Sequence, residues 1–248
     1  MDGRRFTKSQ FNCVYDEAVL SKEFFENPGY YRLSRSRYRN TLKALTSLPI
    51  PLPARIMEIG GGQIALLCHR LFHDQVVVAD QDEKYAKQFE TEGLGFWHCD
   101  LLYDEFKGSA DFDLVVLCEV IEHIPRPPHL IFEVIRKRIR PGGYLFLTTP
   151  NLYRIRNVIR LAAGKRVFDT FVYPERGRSI GHFLEYSKDQ LHWHLARAGF
   201  DQVQIDFKQL SFAGFSRLAQ LGRIAAAPLN LVPRWRNSLV VSARAPEV

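Results

Sequence analysis

From Ala54 onward, short apolar runs alternate with amphipathic stretches, and this rhythm constrains the fold more than any other feature. "RIMEI", "QVVVAD", "GFWHCD", "FDLVVLCEV" and "YLFLTT" read as five successive strands. Between them lie a helical spacing at Ile64, Leu67, Cys68 and Leu71, the polar-faced "DEKYAKQFETE", and "HLIFEVIRKRI", whose Leu130, Ile131, Val134 and Ile135 fall on one side. "FDLVVLCEV" is apolar almost throughout, as expected of a parallel strand buried on both faces. Strands alternating with helices predict an α/β fold with a doubly wound, Rossmann-like sheet. Right-handed crossovers then bring the C-terminal ends of the strands to one edge. Such folds bind ligands there, near the switch in strand order.

The flanks read differently. "YYRLSRSRYRNTLKALTSL" predicts a helix that "PIPLP" breaks, so residues 1–50 are expected to form a helical cap or lid on a domain spanning 51–248. After Asn151 the rhythm fails. Residues 151–181 read as a long irregular insert, rich in Arg and aromatics, directly after the fifth strand; loops of this kind commonly serve as lids or binding segments. A helix is expected to open at Ser187, where Ser187 and Gln190 form an S-x-x-Q capping box, and to end at Gly199. "FDQVQIDF" and "NSLVVSA" predict late strands. The intervening "FSRLAQLGRIAAAPLNLVPRWR" is expected to cover the sheet or a substrate pocket, or to touch a membrane interface.

The 248 residues, 46% hydrophobic and 25% charged, suit one large domain with a sizeable core. A net charge of +7 favours an anionic partner where the charge clusters. Cys13, Cys68, Cys99 and Cys118 form no CxxC pair, and three of them lie in or beside expected core elements, so buried free thiols in a reducing compartment are the expectation. The start, "MDGRRFTKSQFN", has no apolar signal core, and no apolar run reaches the ~18 residues of a spanning helix. A cytoplasmic location is the expectation.

Three strand ends carry the ligand signals. "EIGGGQ" places a glycine turn after the first strand, where backbone can approach a ligand without an intervening Cβ. The second strand ends in Asp80, about 20 residues on, where a carboxylate can accept bonds from ribose hydroxyls. The third ends at Asp100. Acidic strand ends suit a ligand with hydroxyl, amino and sulfonium groups, and suit a polyphosphate poorly.

In order and spacing, these motifs resemble those of the class I S-adenosylmethionine-dependent methyltransferases. The resemblance runs from about Arg55 to Phe200 and rests on "EIGGGQ", "VVVAD", Cys99–Asp100, "FDLVVLCEVIEH", "RPGGYLFLTTPN" and "HFLEYSKDQLHWHLARAGF". It implies a seven-stranded sheet with an antiparallel last strand, and S-adenosyl-L-methionine as cofactor. Glu58, Gly60, Gly61 and Gly62 would face its methionine moiety, Asp80 its ribose and Asp100 its adenine amino group. Gln63, Gln81, Leu101 and Cys118 are further implied cofactor neighbours. One departure is Ile64, which stands where the usual E-x-G-x-G-x-G has its third glycine.

"CEVIEHIPRP" comes after the fourth strand at the ligand edge. A helical turn there would put Glu119, Glu122 and His123 on one face, and close like charges need a cation or a proton to offset them. The E-x-x-E-H pattern, with the later His182, is similar to that of small-RNA 3′-terminal 2′-O-methyltransferases; ubiquinone-biosynthesis O-methyltransferases carry a similar E-x-x-E-H. The first resemblance implies a divalent metal held by Glu119, Glu122, His123 and His182. Mn²⁺, Fe²⁺ or Zn²⁺ suit such donors better than Mg²⁺. Without a metal, His123 or His182 is the candidate general base and Glu119 a catalytic neighbour.

The acceptor is less constrained. Arg32, Arg35, Arg37 and Arg39 lie in the early helix; Arg154, Arg156, Arg160, Lys165, Arg166, Arg176 and Arg178 lie in the insert, interleaved with Tyr153, Phe168, Phe171 and Tyr173. They could form an RNA surface, a funnel for anionic substrates or an interfacial patch. No RNA-binding motif is visible, which favours O-methylation of a small-molecule, sugar or lipid-linked hydroxyl. RNA 2′-O-methylation is the alternative, and a non-catalytic methyltransferase-fold binding protein is a third reading that the acidic strand ends oppose.

Overall fold

The computed structural model describes residues 4–22, 28–104, 111–168, 181–210 and 227–247. One seven-stranded sheet organises them, in the order β3-β2-β1-β4-β5-β7-β6. The strands are β1 (Arg55–Ile59), β2 (Gln75–Asp80), β3 (Gly95–His98), β4 (Phe112–Cys118), β5 (Ile139–Pro150), β6 (Asp201–Lys208) and β7 (Ser238–Arg244). The first five run parallel, and β7 pairs antiparallel with both β5 and β6. The Rossmann-like sheet with an antiparallel last strand is therefore borne out. β5 begins at Ile139, before the expected Tyr144, because its "RPGG" stretch is taken into the strand across a register shift opposite Phe112 and Leu114.

β4 shows why its central run is apolar. Leu114 and Val116 pack with α1 (Lys8–Tyr15), α2 (Pro28–Leu45) and α3 (Gln63–Phe72), while Val115 and Leu117 pack with α5 (Pro128–Arg136) and α7 (Lys188–Arg197). Alternate side chains meet opposite layers, so the central Leu114–Leu117 run is apolar; Asp113, at the start of the strand, is buried too but accepts from Arg55 N and pairs with Arg140. α4 (Ala86–Thr91) lies between β2 and β3, and α6 (Ile155–Ala162) comes after β5.

The N-terminal residues form part of this core. Phe11, Tyr15, Val19, Tyr31, Leu42 and Leu45 are all fully buried in the α3 layer. α1 opens on a Thr7–Gln10 capping box and leads into a five-residue π-helical turn, Asp16–Leu20. The expected α2 and the Ser187 capping box of α7 are present.

The insert differs from the expected irregular loop: its first part is α6, whose Asn157 bonds Leu152 and Glu185 and so docks the helix. Arg176, Arg178, Phe171 and Tyr173 lie outside the described residues, as do residues 211–226 of the late apolar segment. Cys68 and Cys99 are buried and Cys118 half-buried, but Cys13 is exposed: it sits on the outer side of α1, opposite Phe11 and Tyr15. No helix among the described residues is long and apolar enough to cross a membrane.

Candidate active site

The chain leaves β1 for one half of the sheet and returns through β4 on the other side, so the switch in strand order lies between β1 and β4. A cleft of about 270 Å³ opens there. From β1 and its turn it takes Glu58, Gly60, Gly61, Gln63 and Ile64; from β4 and β5, Cys118, Glu119, Val120 and Thr148. α2 closes it with Tyr30, Tyr31, Arg37, Tyr38 and Thr41.

The glycine turn is fitted to this place. Gly60 has φ +80, and a Cβ there would stand 2.6 Å from Val120 Cγ2 across the switch. Gly62 has φ +82, and its Cβ would meet Phe89 at 2.7 Å. Left-handed backbone and close contacts together require glycine. The third glycine of the usual pattern is dispensable here: Ile64 is buried in the first turn of α3. Glu58 lies beneath the turn and accepts from the Ala65 N–H. Burial pushes its carboxyl up to about 8, against the opposing pull of the Ala65, Ile64 and Gly62 amides.

Asp80 ends β2 and clasps the turn: Oδ2 accepts from Gly61 N at 3.1 Å and Oδ1 from Asp82 N at 2.9 Å. Burial raises its pKa, again against those backbone donors. Asp100 is buried in a turn, where Oδ1 accepts from Leu102 N at 2.9 Å. Asp80, Gln81, Asp100 and Leu101 thus sit at or just past the ends of β2 and β3, outside the lining of the cleft; Gly62 also lies outside it, packed toward Phe89, while Glu58, Gly60, Gly61, Gln63 and Cys118 line it.

"CEVIEH" does not turn helically from Glu119. Glu119 ends the strand with φ +57, and only Ile121–His123 forms a short 3₁₀ turn. The expected quartet consequently divides. Glu119 accepts from Thr148 Oγ1 at 2.9 Å and lies 3.8 Å from Arg37 Nη1, inside the cleft. Glu122, His123 and His182 come together instead, with one potential ligand atom from each within 4.8 Å of the others. Glu119 is not in that group. The left-handed backbone at Glu119 sends successive carboxylates to different sides of the β4 end, which separation in sequence could not reveal.

Glu122 is fully buried; Oε2 accepts from Thr149 Oγ1 at 3.0 Å, and Oε1 has no hydrogen-bond partner. Burial, then the nearby Glu119 and Glu185 charges, hold its carboxyl well above the usual range. The His123 and His182 rings meet edge to face, 4.8 Å between centroids. His182 Nδ1 lies 3.2 Å from Glu185 Oε1, and Glu185 also accepts from Arg154 and from Asn157 Nδ2.

Two participants escaped sequence reading. Arg37 looked like one of several surface cations, yet its guanidinium lies between the Tyr30 and Tyr38 rings, 5.3 and 5.4 Å from their centroids. Ser34, three residues before it on α2, and Thr41, four residues after it, share its face and are buried, so this face turns inward. Glu185 lies only three residues from His182, but its other partners, Asn157 and Arg154, lie 28 and 31 residues away.

The family model for a methyltransferase domain matches residues 30–205. The chain belongs to the methyltransferase domain family. It is an enzyme, a class I methyltransferase dependent on S-adenosylmethionine, as the motif resemblance implied. The matched span takes in α2, the glycine turn, the β4 end and the His182 segment. No curated protein matches the sequence.

Solved structures share the fold at low identity. A methyltransferase from the Haloferax volcanii complex with the Trm112 methyltransferase activator aligns over 97% of this chain and 100% of that one, with 14% identity and a TM-score of 0.63. An S-adenosylmethionine-dependent methyltransferase from Mesorhizobium loti aligns over 84% and 97%, with 18% identity and a TM-score of 0.56. Phosphoethanolamine N-methyltransferase 2 of Haemonchus contortus, in complex with S-adenosyl-L-methionine, aligns over 97% of this chain and 57% of that one, with 17% identity and a TM-score of 0.58.

Proposed function

We propose that the enzyme transfers the methyl group of S-adenosylmethionine to a hydroxyl of a small-molecule, sugar or lipid-linked acceptor. The observation that carries this reading is the His123–His182 pair beside the cofactor cleft, with Glu185 against His182 Nδ1. A hydroxyl must lose its proton as it attacks, whereas a neutral amine can attack with its own lone pair. An imidazole whose Nδ1–H is held by a carboxylate presents Nε2 as the proton acceptor.

In this reading the cofactor's methionine end lies between the glycine turn and α2. Arg37 and the Tyr30 hydroxyl would hold its carboxylate, and Glu119 its ammonium. The ribose and adenine extend along the edge toward Asp80 and Asp100. α2 is then the wall of the cofactor site, giving the first 50 residues the role of a cap. The acceptor oxygen forms a bond to the methyl carbon, the carbon–sulfur bond breaks with its electron pair passing to sulfur, and His182 takes the hydroxyl proton.

A second reading is favoured by the unpartnered Glu122 Oε1. Glu122, His123 and His182 would hold a divalent cation such as Zn²⁺, Mn²⁺ or Fe²⁺, with Mg²⁺ less suited to the two imidazoles. Such an ion would lower the pKa of an acceptor hydroxyl and fix its orientation. Elemental analysis of the native protein and of Glu122→Gln decides: equal, near-zero content in both removes the cation.

Transfer of labelled methyl to panels of hydroxylated small molecules, lipid-linked sugars and phenols, amines, and short RNAs tests the main reading. Label on a hydroxyl compound, falling about 10²–10⁴-fold in His182→Ala with cofactor binding intact, is the expected result. Label confined to amines, or to RNA, would overturn it.

A further inference from the structure

α6 leaves part of its apolar face exposed and so departs from an ordinary surface helix. Such a helix buries its apolar stripe and shows its polar side to water. Here Ile155, Val158, Ile159, Leu161 and Ala162 share one broad face, and Arg156, Asn157 and Arg160 share the other. The residue the helix buries is the polar one: Asn157 is 1% exposed, bonded to Leu152 O and Glu185. Ile159 and Leu161 are 55% and 59% exposed.

The charge around this face is of one sign. From Asn151 to Phe168 there are five cations, Arg154, Arg156, Arg160, Lys165 and Arg166, and no Asp or Glu. Arg154 is committed to Glu185, while Arg156, Lys165 and Arg166 are exposed. More apolar surface lies nearby in the chain fold. Asn151 Nδ2 donates to Arg234 O and Arg236 O at 2.8 Å, and Leu231, three residues before Arg234, is 79% exposed.

We infer that α6 is an interfacial helix that seats the enzyme on an anionic lipid surface. The apolar face enters the headgroup boundary, and the flanking cations meet lipid phosphates and carboxylates. The exposed apolar groups of α6 are aliphatic, which suits acyl chains; a single-stranded RNA surface would offer aromatic platforms for stacking. The docking stands apart from the identity of the methylated atom. It does bear on how an acceptor arrives: Asn157 and Arg154 tie the helix to Glu185, which touches His182. A lipid-linked acceptor would thus leave the membrane close to the candidate base.

Sedimentation of the full chain with vesicles tests this. Binding is expected to vesicles of phosphatidylcholine mixed with phosphatidylserine, to weaken with salt, and to be poor on phosphatidylcholine alone. The double variant Ile159→Asp, Leu161→Asp should bind the mixed vesicles at least about tenfold more weakly, from the loss of two aliphatic groups. Calorimetric cofactor binding reports whether the variant is folded. If it is not, Ile159→Trp supplies an independent reading: its fluorescence should shift to the blue on mixed vesicles. No sedimentation with either vesicle, undiminished sedimentation of the folded double variant, or a tryptophan that stays water-exposed would each overturn the inference. So would salt-sensitive binding of short RNA in place of vesicles. The vesicle assay involves no methyl transfer, so its failure is separable from failure of the hydroxyl reading.

Discussion

Arg37 gathers several roles in one residue. It faces Glu119 and lies close to two tyrosine rings, in the cleft proposed to take the cofactor's zwitterionic amino-acid end. A charge-assisted hydrogen bond in such a place contributes about 1.5–3 kcal/mol. Arg37→Ala is therefore expected to weaken cofactor binding roughly tenfold to a hundredfold in calorimetry, and Arg37→Lys to recover part of it. Unchanged affinity would remove Arg37 from the site. Glu58 makes a separate prediction in pH. Its folded-state value, about 8, lies above its ordinary 4.5, so the folded protein holds a proton that the unfolded chain releases. Its contribution to stability is full below about 4.5 and is lost as pH rises toward about 8. Urea midpoints of the cofactor-free enzyme should fall across that window, and Glu58→Gln should flatten the slope. If the cofactor binds over the turn as proposed, its positive charge should lower the Glu58 value and reduce the loss.

At the scale of elements, the position of His182 depends on the start of α7. The Ser187 side chain accepts from Gln190 N at 3.2 Å, and Gln190 Oε1 accepts from Ser187 N at 2.9 Å, closing that end of the helix. Tyr186 bridges to Asn151 at the end of β5. Ser187→Ala should cost about 1 kcal/mol in a denaturant melt, the usual effect of removing such a cap. Because the segment from His182 to Tyr186 is also held by Phe183 N to Glu122 O at 2.8 Å, cofactor affinity should change little. The elements were the most legible part of the sequence. Every expected strand is present; in the central β1, β4, β5 and β7 alternate residues enter opposite apolar layers, a demand local sequence expresses. The capping box of α7 was readable for the same reason: its chemistry spans three residues. The T-x-x-Q of α1 carried that signal too, but a mixed, aromatic stretch around it masked the period.

Across the whole molecule, the N-terminus is joined to the far end of the sheet by a buried ion pair. Arg4 donates to Asp74 and to Pro51 O, and Asp74 Oδ1 also accepts from Ala54 N at 2.8 Å. Both side chains are almost wholly buried. Asp74→Ala would leave the guanidinium without its counter-charge, a change that costs about 3–5 kcal/mol when a buried pair is broken. The midpoint of thermal unfolding should fall accordingly, and a drop of only a degree or so would show that the pair is dispensable. This contact orders α1 and, through the shared apolar layer, α2 with Arg37.

The sequence by itself determined the doubly wound sheet, its antiparallel last strand through the family resemblance, and the glycine turn with acidic strand ends. These are written in short-range periodicity and in residue types at strand ends. Only the tertiary structure decided that Glu119 parts from Glu122, that Arg37 turns into the cleft, that Glu185 stands behind His182, and that α6 shows its apolar face outward. Each of these depends on a backbone angle or on partners tens of residues away, and the energy of such contacts is settled by packing in three dimensions rather than by neighbours along the chain.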